Sequence, residues 1–261
     1  MNKTEKELAF LRELVIEADW TQRFTDFFDK KFKFGKEETI LYMNAGAGNH
    51  AIALDEKFDD NTNIYAVSEN TELRKIAQAK ADAIKAEVRF GTNFPDEKST
   101  VVIADASFVR PNEIDNLLTQ IIDLSDNRVA FFLPTKGSFG EIFSFLWETL
   151  LETDLLEHGS NVERLILEIP TAEDIENLSK NLGLQNVESV TETEFFEFKD
   201  GTEFIESPLV ADFLLPAWLD FLTEAEKEKA GKKLAELIDA EAGTLSFSFS
   251  VKNTLFSGEK T

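Results

Sequence analysis

The chain has 261 residues, 27 Lys and Arg against 50 Asp and Glu, a formal net charge of −23 at pH 7, 24 Phe and no Cys. Its 43% hydrophobic and 11% aromatic content is enough apolar surface for a real core, which excludes disorder of the whole chain. The missing thiols exclude disulfides, zinc–thiolate and iron–sulfur sites and a cysteine nucleophile, and the acidity opposes phosphate backbones and anionic headgroups, so neither nucleic acid nor membrane is an expected partner.

Residues 1–35 read as a helical segment: Leu8, Leu11, Val15 and Ala18 recur at helical spacing, Phe24, Phe27 and Phe28 continue the stripe, and Gly35 closes it. The opening MNKTEKELAF has no apolar stretch of signal-peptide length. The most apolar long stretch, Leu209 to Leu222, is broken by Asp212, Pro216 and Asp220 and falls short of the roughly 20 residues that cross a bilayer. A soluble, cytoplasmic protein is the expectation.

Strands and helices then alternate, as in a parallel sheet covered by helices. Strands are predicted at Thr39–Met43, Asn63–Val67, Glu87–Phe90, Val101–Ala104 and Val129–Leu133, and helices over Ala51–Phe58, Glu72–Lys85, Pro111–Leu124 and Phe139–Glu157. His158, late in that last helix and before Gly159, reads as a C-cap residue. Glu163–Ile169 is predicted extended, Thr171–Leu182 helical with Thr171 as N-cap and Gly183 at C′, and Val187–Phe198 a strand. Residues 201–241 form a mostly helical insertion whose EAEKEKAGKK run is a solvated face, and Leu245–Phe256 alternates as a long strand with one buried side.

The segment ILYMNAGAGNHAIAL puts Gly46 and Gly48 between the first strand and its helix. Glycine there permits positive φ and lets a ligand approach the backbone, and the helix start offers free N–H groups. Read as G-x-G-x-x-A, Gly46 to Ala51 fits a dinucleotide fingerprint with Glu69 about 20 residues on. It equally fits the cofactor loop of S-adenosylmethionine enzymes.

Over nearly its whole length the chain resembles the class I S-adenosylmethionine-dependent methyltransferases. The resemblance is carried by NAGAGNH, YAVSENTELRKIA, VRFGTN, VVIADASF, AFFLPTKGSFGEIFSFLW and the closing alternation. PTKGSFGEIFSFLW and the late insertion look most like the small-molecule branch that includes malonyl-thioester carboxyl methyltransferases. The resemblance implies a single α/β domain over 1–261: a Rossmann-like seven-stranded methyltransferase sheet, mostly parallel with an antiparallel last strand, and helices on both faces. It also implies S-adenosylmethionine as cofactor and methyl transfer to a small-molecule oxygen, nitrogen or carboxylate.

The cofactor residues it implies are Asn44, Gly46, Gly48, Ser68, Glu69, Thr92 and Asn93. His50 stands at the family's third glycine; Asn44 stands where it has an acid, Ser68 at the ribose carboxylate and Asn93 at the adenine-binding acid, and each of these three swaps loses a charge and keeps hydrogen-bonding capacity. A non-catalytic binding protein on the same fold and an NAD-binding oxidoreductase are the alternatives.

Asp105, at the end of the fourth strand, is a catalytic candidate that orients substrate, or else a loop acid. His50 is the second, with capping or packing as its other reading. Arg110 and Lys136 either hold a substrate carboxylate or are surface cations. No residue set is assigned to a metal. The aromatic stretches Phe195–Phe204 and 209–222 are either a lid or a satellite core.

Overall fold

The computed structural model describes residues 3–36, 39–58, 62–242 and 245–260; Met1 and Asn2 of the N-terminal segment lie outside these. Helix α1 (Glu5–Leu11) opens with a capping box: Thr4 Oγ1 accepts the Glu7 N–H and the Glu7 carboxylate accepts the Thr4 N–H. The helix runs on through Arg12–Thr21, but there it is wound as a π-helix before α2 (Gln22–Lys31). This corrects the α-helical spacing expected for the segment. Arg12, Ile16 and Trp20, four residues apart, are all buried along this wider-wound stretch. The segment ends at Phe32, in extended conformation, and not at Gly35.

The alternating region forms β1 (Thr39–Met43), α3 (Asn49–Asp55), β2 (Asn63–Val67), α4 (Thr71–Ile84), β3 (Val88–Gly91), β4 (Ser99–Asp105), α5 (Ile114–Asp123) and β5 (Ser125–Thr135). There follow α6 (Gly140–Glu152), α7 (Gly159–Glu168), α8 (Ala172–Asn181), β6 (Leu184–Phe198), α9 (Gly201–Glu206), α10 (Leu215–Trp218), α11 (Glu224–Ala242) and β7 (Phe247–Lys260). The seven strands lie in the order β3-β2-β1-β4-β5-β7-β6, with β7 antiparallel. β1 pairs in parallel with β2 (Met43 opposite Val67) and with β4 (Met43 opposite Ala104), so the glycine turn leaves the centre of the sheet at its carboxyl edge.

The chain divides into two compact units, Met1–Leu133 with Ala172–Thr191 and Thr254–Thr261, and Pro134–Thr171 with Glu192–Asn253. In the first, strand parity sorts the core. Leu41, Met43, Val102, Ala104, Val129 and Phe131 pack with Leu118 and Ile121 of α5 and Ile175 of α8. The other face carries Tyr42 and Phe132, the latter meeting Phe24 and Phe28 of α2 at 5.9 and 6.0 Å between ring centroids. The N-terminal helix is thereby docked on the sheet.

The second unit is an aromatic core. Trp218 lies 5.1 Å from Phe139 and 5.6 Å from Phe143, and Phe204 is fully buried against Phe198, Phe247 and Phe249. The 201–241 insertion packs as core within that unit. Two expectations are corrected here. Glu163–Ile169 is not extended: Glu163–Glu168 is the latter part of helix α7, because Val162, Leu165 and Ile166 recur at helical spacing and Val162 is buried. His158 is not a helix C-cap: it closes a short 3-10 turn, its ring 5.5 Å from that of Phe221, and Gly159 starts α7 with Trp147 packed against it.

Candidate active site

After Met43 the backbone enters three left-handed positions, Asn44 (φ +55°), Gly46 (φ +54°) and Gly48 (φ +83°), before α3 begins. The turn is tied down by the Ala45 N–H donating to Val67 O and the Gly48 N–H donating to Ala45 O. The two glycines serve different ends. A Cβ on Gly48 would stand 2.7 Å from the Phe90 ring and 2.8 Å from Ala77 Cβ, so Gly48 is required for α3 to pack on β3 and α4. A Cβ on Gly46 would meet only Arg12, Nε and Nη2 each at 3.8 Å. Gly46 thus faces the N-terminal helix, and the Asn44 carboxamide donates to Asp105 O at 3.0 Å, joining the ends of β1 and β4.

Arg12 reaches this turn from the π-wound segment. Its Nη2 lies 3.3 Å from Glu69 Oε1, and Glu69 Oε2 accepts the Gly46 N–H at 3.0 Å. The guanidinium sits 4.4 Å from the centroid of the Phe108 ring, a cation–π contact. One carboxylate therefore holds a backbone amide and a buried guanidinium together. Sequence reasoning missed Arg12 because a lone cation beside an apolar stripe does not announce a partner 57 residues away.

Two further carboxyls flank Arg12. Glu17 is pushed up to about 7 by burial, only partly countered by a hydrogen bond from Asn49 and the charges of Lys80 and Arg12. Lys80 reaches both Glu13, at 2.7 Å, and Asn49. Asp105 is buried, which raises its carboxyl against the opposing pull of Arg12 and of the Ser107 N–H that it accepts at 2.8 Å. Two polar atoms at this edge, Ser68 Oγ and Arg12 Nε, are buried with no hydrogen-bond partner among the described residues, while the Ser107 hydroxyl, like its N–H, serves the Asp105 carboxyl. An unpaired buried polar group costs about 1–3 kcal/mol, so such a group calls for an explanation. Two of them beside a glycine turn fit a polar ligand.

The remaining candidates lie as follows. His50 is enclosed: Nδ1 is hydrogen-bonded to Tyr42 Oη at 2.9 Å and Nε2 to Asp29 Oδ1 at 3.2 Å. Burial alone would raise Asp29, but hydrogen bonds from His50 and Lys57 outweigh it and hold the carboxyl at about 2. This chain of groups clamps α2 to the start of α3. Thr92 and Asn93 are exposed after β3, where the Asn93 carbonyl accepts the Tyr65 hydroxyl at 3.1 Å. Arg110 is exposed ahead of α5, and Lys136, also exposed, belongs to the second unit. Asn44, Gly46, Gly48, Ser68, Glu69 and Asp105 thus share the carboxyl edge of the central strands.

No family model matches the sequence, and no curated protein is similar to it. Solved structures are. A S-adenosylmethionine-dependent methyltransferase from Geobacter sulfurreducens, in complex with S-adenosylhomocysteine, is 10% identical, with a TM-score of 0.57 over 100% of this chain and 99% of that one. One from Thiobacillus denitrificans, in complex with the same ligand, is 12% identical, with a TM-score of 0.56 over all of both chains. The [4+2]-cyclase SpnF is 16% identical, with a TM-score of 0.51 over 93% of this chain and 82% of that one. With its strand order, antiparallel β7 and glycine turn after β1, the chain has the fold of the class I S-adenosylmethionine-dependent methyltransferases.

Proposed function

We propose that this protein binds S-adenosylmethionine at the Gly46–Gly48 turn and transfers its methyl group to a small-molecule acceptor. The observation that carries the reading is the pair of buried donors without a partner among the described residues, Ser68 Oγ and Arg12 Nε, around a turn whose Gly46 presents no side chain. The methyltransferases similar in fold bind S-adenosylhomocysteine, which supports the same ligand class here.

Bound, S-adenosylmethionine supplies an electrophilic methyl group. The chain's own residues bind and orient: the Ser68 hydroxyl meets the ligand's hydroxyl and amino groups, and Trp20 and Phe108, 5.2 Å apart, exclude water from the edge. Asp105, its carboxyl raised by burial, orients an acceptor N–H or O–H. Arg110 is assigned to an acceptor carboxylate, which needs no base. A net charge of −23 favours a small molecule over nucleic acid.

A second reading, a non-catalytic binding protein, is favoured by one observation: Glu69 is already engaged by Gly46 and Arg12. Calorimetry separates the two. S-adenosylhomocysteine binding with no NAD binding supports the first, binding of neither supports the second, and NAD binding alone overturns both. Gly46→Val, strained at φ +54° and pushed toward Arg12, is expected to abolish S-adenosylhomocysteine binding while circular dichroism stays unchanged.

A further inference from the structure

We infer that Gly46 and Arg12 form a receptor for a carboxylate, that Glu69 is its resident occupant, and that a carboxylate-bearing ligand takes the place of Glu69. The inference rests on the turn being the ligand seat, and it goes further in naming which group of the ligand is recognised and what it must displace.

Two donors converge on one anion: the Gly46 N–H at 3.0 Å and Arg12 Nη2 at 3.3 Å. The pair is unequal in exposure. The Arg12 side chain is 9% exposed and that of Glu69 31%. Glu69 can therefore swing out and be hydrated, while Arg12 stays in the protein and needs an anion, because a buried guanidinium left alone is strongly unfavourable. Arg12 also makes only one contact to Glu69, and its Nε remains buried and unpaired among the described residues. A guanidinium prefers two parallel hydrogen bonds to a carboxylate, so a carboxylate free of the Glu69 backbone tether can use both nitrogens. Nearby Asp105 and Glu17 have raised carboxyls, which makes Arg12 the positive centre of an acidic edge. A neutral ligand that displaced Glu69 would leave that centre uncompensated; an anionic one restores the balance.

The test compares S-adenosylhomocysteine, which carries a carboxylate, with 5′-methylthioadenosine, which shares its nucleoside and lacks one. In the wild-type protein Glu69 competes with the carboxylate, so the two ligands bind with similar affinity. In Glu69→Ala, S-adenosylhomocysteine is expected to bind about tenfold tighter, the worth of one charge-assisted hydrogen bond, while methylthioadenosine is unchanged. Adding Arg12→Met should cancel the gain. Glu69→Gln, which keeps an acceptor for the Gly46 N–H, should shift affinity in the same direction by less and serves if the alanine variant does not fold.

Weaker or unchanged S-adenosylhomocysteine binding in these variants overturns the inference, because Glu69 would then hold the ligand itself or not touch its seat. Hydrogen exchange of the Gly46 amide in the ligand-free protein is the second readout. Glu69→Ala should speed it about tenfold, and an unchanged rate overturns the resident carboxylate whatever the ligands do. If neither nucleoside binds any variant while that exchange accelerates, the proposed function fails and the Glu69–Gly46 contact stands.

Discussion

Glu17 offers the sharpest test of the electrostatics at the sheet edge. Its carboxyl is raised from 4.5 to about 7, chiefly by burial. The folded protein therefore holds the Glu17 proton more tightly than the unfolded chain does. The associated stability is fully present below about pH 4.5 and is lost as the pH rises through about 7. At 1.36 kcal/mol per unit, a shift of this size sets a ceiling of about 3.4 kcal/mol. Glu17 keeps some contact with solvent, so about 2–3 kcal/mol is expected. Glu17→Gln removes the titration and keeps the shape. Urea unfolding at fixed ionic strength, from pH 5 to pH 8.5, should show the wild type losing about 1–2 kcal/mol more than the variant, the first part of the loss lying below pH 5, with the variant the more stable at pH 8.5. Subtracting one protein from the other cancels the general repulsion of an acidic chain. Parallel curves, agreeing within about 0.5 kcal/mol at every pH, would refute the account, because they would mean that Glu17 is solvated in the folded state.

Asp29 carries the opposite sign. Held at about 2 by His50 and Lys57, it contributes stability above the ordinary value of 3.8 that is lost as the pH falls toward 2. Asp29→Asn should therefore destabilise by about 1–2 kcal/mol at pH 7, after allowance for partial exposure, with the deficit closing in acid; a deficit that persists at pH 2 would show that the loss is packing. Trp218→Ala should cost about 3–5 kcal/mol in thermal or urea unfolding, as expected of a ring between Phe139 and Phe143. A variant that keeps its stability would restore the lid as a reading of that segment.

What was legible in the sequence follows from how directly each signal maps onto structure. TILYM, NIYAV and STVVIAD read as buried parallel strands because both faces are covered, so apolar residues run on without alternation. NAGAG was legible because glycine between strand and helix has few other uses. ERLILEI was misread because a short apolar run satisfies both periods: Leu165, Leu167 and Ile169 alternate, while Val162, Leu165 and Ile166 follow a helix. Neither the π winding nor Arg12's partner was visible, since one depends on packing under Trp20 and the other on a contact across 57 residues. Of the site residues chosen from sequence, those at the carboxyl edge lie together because β1 runs in parallel between β2 and β4, so the ends of all three strands fall side by side. His50 does not face that edge, since its ring is turned to Tyr42 and Asp29.

The wide-wound stretch from Arg12 to Thr21 acts as a phase setter for everything upstream of it. Removing one surface residue there, Ala18 or Asp19, takes no side chain from the core. It does turn the preceding helix by about 80°, one residue's share of a turn closed at i+5. A deletion that composition would score as trivial therefore aims the Arg12 guanidinium away from Gly46, and the length of this stretch is as much a part of the Arg12–Glu69–Gly46 contact as any residue in it.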